Sequence, residues 1–199
     1  TPAHKYRTAR DNIRVATGAM EVRGGNGYIE DFVNARLVRD AHVGLLWEGT
    51  SNINALDITT RAIGRTEAHK DLKSALLAQI DGCPGRPNSF AGVLKSLLIK
   101  SLDLAEEIAR LGEGCLARQA ASAVYHSATA VLLACEGARL GADGGDARRL
   151  LLARMVIDHR LSPQDPLSSA GSAFETAATD LLLRDAPASI ETAEQTLSL

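Results

Sequence analysis

Apolar residues in this sequence recur every three or four positions, and no stretch alternates cleanly between apolar and polar. That spacing places the apolar side chains on one face of a helix, where alternation would place them on one face of a strand. In residues 4–22 the pattern runs through Ile13, Ala16 and Met20, with Lys5, Arg7, Arg10 and Arg14 on a basic polar side. In residues 51–65 it runs through Ile53, Leu56, Ile58 and Ile63. Aromatic residues make up only 4%, while Ala and Leu dominate. Both lose little side-chain freedom in a helix. The expected fold class is all-α: a helical bundle followed by a second helical bundle.

Punctuation divides this pattern. "RGGNG" at 23–27 stops the first helix, and Gly24 and Gly25 suit backbone conformations that side chains disfavour. Residues 28–43 suggest a turn and one or two helical turns, to about Asp40. Thr50 or Ser51 is placed to cap the helix that follows. Helix is expected to resume to about Ile80 after a kink near Gly64. "DGCPGRPNS" at 81–89 concentrates two prolines and two glycines, which reads as a linker. Beyond it, residues 90–111, 115–140, 146–160 and 167–185 read as four helices joined by short connections, the pattern of an up-and-down bundle. A weaker fifth is expected over 187–198. The domain expectation is therefore 1–80, a linker at 81–89, and an appended α-helical bundle over 90–199.

Composition excludes several function classes. The formal net charge is -2, which gives no global pull towards nucleic acid or an anionic membrane. No segment approaches the run of roughly 20 apolar residues that a membrane-spanning helix needs. "TPAHKYRTARDNIR" is polar and basic and does not read as a signal peptide, so the expected location is cytoplasmic. Cys83, Cys115 and Cys135 form no CxxC pair, and the five histidines share no ligand spacing, so no metal site is expected. The chain opens on Thr1, in front of a helical pattern, and is expected to be a piece of a longer polypeptide.

Three stretches carry chemistry-bearing residues. "GGNGY" at 24–28 fits a helix end and tight turn, or a place where bare backbone approaches a ligand such as a pyrophosphate. Arg36, Arg39 and Asp40 fit an ion pair or an anion contact. Glu48 stands behind Leu45, Leu46 and Trp47 and ahead of a helix start. It fits a charge placed against the helix dipole. It also fits a general base, since desolvation by an apolar pocket would raise its pKa towards neutrality.

Read together, residues 19–65 resemble the closing signature of the acyl-CoA dehydrogenases. In that family a helix ends at a GGxGY segment, an Arg-Asp pair follows, and an aromatic-Glu-Gly-Thr/Ser motif opens a terminal helix. Here these are Gly24 to Tyr28, then Arg39 and Asp40, then Trp47, Glu48, Gly49 and Thr50. The resemblance implies the C-terminal helical domain of an FAD-dependent flavoprotein that works as a homo-oligomer in fatty acid metabolism. Glu48 matches the base that takes the α-proton of an acyl-CoA thioester, and its N–H matches a donor to the thioester carbonyl. Gly24 and Gly25 match the loop that lies on the FAD of a neighbouring subunit. Thr50 matches a cofactor contact, and Asn52 stands where many relatives have Gln. Trp47 replaces the commoner Tyr and, with Gly49, would line the substrate pocket.

"WEGTSNINALD" is similar to the alkylation-response branch of that family, which also carries an extra helical region and has been linked to DNA binding. Residues 86–199 hold 11 Lys+Arg against 14 Asp+Glu, a balance of -3, whereas a DNA-binding face clusters positive charge. Nucleic acid is therefore not the expected partner. The alternative is an assembly or binding module of that branch, with a role in the DNA-damage response and little dehydrogenase activity. On its own the chain is expected neither to retain FAD nor to turn over substrate.

Overall fold

A computed structural model describes residues 2–85, 87–163, 165, 167 and 172–199. Among them there is no strand. Helices α1 (Pro2–Val22), α2 (Gly25–Tyr28), α3 (Asn34–Leu46), α4 (Ser51–Asp57), α5 (Ala68–Asp81), α6 (Asn88–Leu111), α7 (Ala117–Ala142), α8 (Arg149–Arg160), α9 (Ser172–Leu182) and α10 (Ile190–Leu197) follow in order. The all-α expectation holds. The start of the helix expected over 167–185 falls partly on residues outside those described.

Two local expectations are corrected. Helix α3 does not stop near Asp40 but runs on to Leu46, because Ala41 is buried and extends its inner face. The kink near Gly64 is a π-helical segment, Ile58–Ile63. There the N–H groups of Gly64 and Thr66 reach back five residues, to the carbonyls of Thr59 and Arg61, each at 3.0 Å. The hydroxyls of Thr59 and Thr60 both donate to the Leu56 carbonyl, at 3.1 and 2.7 Å. Side-chain bonds of this kind compete with the regular ladder, and π-turns absorb the mismatch.

The division of the chain also differs from the expected linker at 81–89. One unit comprises Thr1–Glu67 and Leu104–Tyr125, and the other comprises Ala68–Asp103 and His126–Leu199. Residues 82–85 do connect two helices, but both of them begin within the second unit. The physical reason is that α6 and α7, of 24 and 26 residues, carry buried positions along their whole length. Each contributes to both cores, so a break in composition is not a break in packing.

In the first unit, α1 packs against α2, α3 and α4. Tyr6 is 2% exposed, and its hydroxyl meets the Arg118 carbonyl at 3.2 Å and Ser122 Oγ at 3.1 Å. Ala35, Ala41, Ala55, Ile58, Ile63 and Ile108 fill the interior around it.

In the second unit, Leu76, Ile80, Leu94, Leu98, Leu102, Val131, Leu150, Leu151 and Phe174 are buried. Each large apolar side chain removed from water in this way contributes about 1.5–3 kcal/mol. Asp146 accepts the backbone N–H groups of Arg148 at 3.0 Å and Ala188 at 3.3 Å, together with the Arg148 guanidinium. Arg148 Nη1 in turn donates to the Arg184 carbonyl at 2.7 Å, just past the end of α9. The weak final helix is α10. Its N-cap, Ser189, accepts the Thr192 N–H at 3.2 Å.

Candidate functional site

Glu48 stands on a four-residue turn, 47–50, between α3 and α4, and the turn is held from both sides. On one side, α1 supplies two contacts. Lys5 Nζ donates to the Gly44 carbonyl at 2.6 Å, one of the last carbonyls of α3, which has no partner within its own helix. Arg10 Nη1 donates to Ser51 Oγ at 3.1 Å, at the start of α4. On the other side, the Asn54 side-chain amide donates to the carbonyls of Gly49 at 2.6 Å and Thr50 at 3.1 Å.

Between these anchors the backbone turns left-handed twice. Glu48 has φ 55° and Gly49 φ 95°. An L-residue pays roughly 1–2 kcal/mol for the left-handed region, so Glu48 is held there by its surroundings. Strain of this kind concentrates at functional positions. A Cβ at Gly49 would crowd Asn54 Nδ2 at 3.3 Å and Ile53 Cγ2 at 3.4 Å, and φ 95° is itself strained for any residue with a side chain. Thr50 occupies the N-cap position, as expected, but its hydroxyl makes no capping bond.

Asn54 was not among the expected site residues. Its signal in the sequence is slight, an amide four residues beyond the candidate cap.

The expected apolar pocket is not built by this chain. Trp47 is 70% and Leu46 64% exposed, and Glu48, Thr50 and Asn52 are exposed as well. Leu45 to Trp47 therefore do not enclose the Glu48 carboxylate. Among the described residues the N–H of Glu48 donates to no backbone carbonyl.

The GGNGY stretch is the cap and body of α2: Gly24 caps it and Gly25–Tyr28 form its single turn. Gly24 has φ 57° and ψ -140°, a conformation essentially reserved for glycine. Gly27 is buried, and a Cβ on it would lie 2.1 Å from the Met20 carbonyl oxygen. Gly25 faces open space, so its backbone is accessible rather than required by packing. Tyr28 is 77% exposed.

The Arg-Asp pair is not a mutual one. Arg39 makes a bidentate contact with Glu30, at 2.7 and 3.1 Å, while Asp40 faces Arg36 at 3.9 Å. The hydrogen bonds from Arg39 hold the Glu30 carboxyl below its ordinary range. All four side chains are on the surface.

The two motifs are not brought together. Gly24 follows the C-terminal end of α1, whereas Lys5 and Arg10, near its start, hold the Glu48 turn. Fourteen residues separate Arg10 from Gly24, which is about 20 Å at the helical rise. Gly24, Gly25 and Tyr28 form one exposed edge. Trp47, Glu48, Thr50 and Asn52 form another. Bare glycine backbone is exposed on the first edge and hydroxyl and amide groups on the second, and neither edge is by itself a cavity.

Residues 1–63 match the family described as acyl-CoA dehydrogenase, C-terminal domain. AidB of Escherichia coli (strain K12), whose name places it with the acyl-CoA dehydrogenases, is 35% identical over 82 residues, covering 41% of this chain and 15% of that protein. Acyl-CoA dehydrogenase family member 11 of Caenorhabditis elegans is 38% identical over 58 residues, 29% of this chain and 9% of that protein. The 3-(aryl)acrylate reductase of Clostridium sporogenes is 36% identical over 59 residues, 30% of this chain and 16% of that protein. The chain thus matches less than a fifth of the length of these relatives. No solved structure gives a significant match.

Proposed function

We propose that this chain, the C-terminal part of an acyl-CoA dehydrogenase-like protein, supplies the α-proton base to a flavin-dependent oxidoreductase acting on acyl-CoA thioesters. The observation that carries the reading is the Glu48 turn. A carboxylate is held in the left-handed region by Lys5, Asn54 and Gly49, exposed, and directly ahead of α4.

Glu48 would accept the proton from the carbon α to the thioester carbonyl. Its own N–H, which no backbone carbonyl engages, would donate to the carbonyl oxygen as negative charge gathers there. Trp47 and Gly49 would border the acyl group. Gly24, Gly25, Thr50 and Asn52 would hold FAD, which supplies the hydride acceptor at the β-carbon.

The placing of the glycine edge past the end of α1, while residues near its start hold the Glu48 turn, supports a homo-oligomer in which Gly24 and Gly25 of one copy serve a different site from its own Glu48.

The test is made in the flavin-loaded full-length protein. Glu48→Gln should slow anaerobic flavin reduction by acyl-CoA by about 10²–10⁴-fold, the usual worth of a general base, with FAD still bound. Undiminished reduction would remove Glu48 from the chemistry.

One observation favours a second reading. The stretch similar to AidB, at 82 residues, is longer than the 63 matched by the family, so the likeness extends past that domain. On that reading residues 90–199 serve binding or assembly, and dehydrogenation is secondary. Retention of duplex DNA by the chain, weakening steeply with salt, would support it. No retention at low salt would exclude a DNA partner.

A further inference from the structure

In the second unit, the turn that follows α5 is seated directly on α7. Gly85, with φ 68°, makes this possible. A Cβ there would meet the methyl of Ala142 and Cδ1 of Ile190 at 3.0 Å and the Ala138 carbonyl at 3.2 Å. The bare backbone lies where any side chain would lift the turn away, and it brings Cys83 to the middle of α7. Cys83 Sγ donates to the backbone carbonyl of Cys135 at 3.3 Å. Cys135 Sγ donates to the carbonyl of Gln79 at 3.8 Å, one helical turn before Cys83. Each thiol thus rests on backbone at or within a turn of the other cysteine. Cys83 is half-buried and Cys135 is 6% exposed.

Both line a cavity of about 480 Å³ bordered by Leu132, Glu136 and Arg139. Glu136 is paired with Arg149 at 3.0 Å, and Arg139 is a further residue of the cavity wall. The thiolate is the nucleophile in exchange with disulfides.

We propose that Cys83 and Cys135 form a dithiol modification site for low-molecular-mass disulfides, which they convert to thiols as they close an intramolecular Cys83–Cys135 bridge. Cys83, the more exposed thiol, reacts first. Its thiolate attacks one sulfur of the small disulfide, the S–S bond breaks, and one small thiol leaves with the proton Cys83 gave up. The cavity has room for the mixed disulfide. The Cys135 thiolate then attacks the Cys83 sulfur, and the second small thiol leaves with the proton of Cys135. The balance is one small disulfide reduced to two thiols and two protein thiols oxidised to one disulfide. Cys83 lies between two helices and follows Gly82, and closing the bridge requires the pair to take up the close Cβ approach of a disulfide. The bridge would pin the end of α5 to α7.

The exposed Cys115, in the other unit, is removed first by Cys115→Ser so that only the pair is read. The folded variant is incubated with glutathione disulfide, quenched in acid, unfolded, and its thiols titrated. The expected count falls from two to none, peptide mapping links Cys83 to Cys135, and dithiothreitol restores both thiols. With Cys135→Ser added, the reaction should stop at a glutathione adduct on Cys83. With Cys83→Ser added, the buried Cys135 should remain titratable. Two thiols remaining under conditions that modify Cys115 in the unaltered chain would overturn the proposal. So would a stable glutathione adduct on Cys83 in the presence of Cys135.

Discussion

The side-chain amide of Asn54 donates to the backbone carbonyl of Gly49 at 2.6 Å, one turn into the helix that follows Glu48. This bond closes the turn on which the carboxylate stands, and a second bond to the Thr50 carbonyl, at 3.1 Å, reinforces it. A polar residue inside a helix usually contributes little, but this one satisfies the Gly49 carbonyl and adds a second donor to the Thr50 carbonyl, which already accepts the Asn54 N–H at 3.0 Å.

Asn54→Ala should therefore destabilise the chain by about 1–2 kcal/mol, the usual cost of losing one or two such bonds. The midpoint of urea unfolding checks this. An unchanged midpoint would show that the turn is held by Lys5, Arg10 and Gly49 alone.

The glycines of GGNGY should separate by role. Gly27→Ala places a methyl 2.1 Å from the Met20 carbonyl oxygen and should cost about 3 kcal/mol, at the upper end for an overpacked site. Gly25→Ala meets open space and should be tolerated in the isolated chain. Thermal unfolding of the two variants side by side gives the comparison. Equal losses would contradict this division of roles.

Asp146 should make the second unit sensitive to acid. Hydrogen bonds from the Arg148 guanidinium, and then from the N–H groups of Arg148 and Ala188, hold its carboxyl below the ordinary aspartate range. A depressed folded-state pKa contributes stability above the unfolded value, near 3.9, and that stability is lost as pH falls through the folded value. Asp146→Asn should be less stable than the unaltered chain near neutrality. The gap should narrow progressively below about pH 4, where the unaltered residue also becomes protonated. Unfolding midpoints across that range check the sign. A gap independent of pH would show that Asp146 acts through its shape and not its charge.

The helices themselves were legible in the chain from their apolar spacing, but not every member of a stripe turns inward: Ile58 and Ile63 are buried, whereas Ile53 is 60% exposed. Helix spacing and capping residues act over a few positions, so α1, α4 and even the weak α10 could be anticipated, though not the Ser189 cap that starts it. The extension of α3 to Leu46 escaped because what prolongs it is burial of Ala41 against other elements. The pairing of Arg39 with Glu30, and not with the adjacent Asp40, escaped for the same reason: it depends on the fold of the intervening turn.

By itself the sequence determined the helical class, the glycine turn and the Glu48 position with its neighbours. All of these depend on residue type and spacing along the chain. Only the tertiary structure decided the division into two units that share α6 and α7. It also decided the exposure of Trp47 and Glu48, the support of their turn by Lys5 and Asn54, and the meeting of Cys83 with Cys135. The physical reason is that burial and long-range hydrogen bonding depend on which surfaces meet. Cys83 and Cys135 are fifty-two positions apart, and they come together because a glycine lets one turn lie flat on a helix.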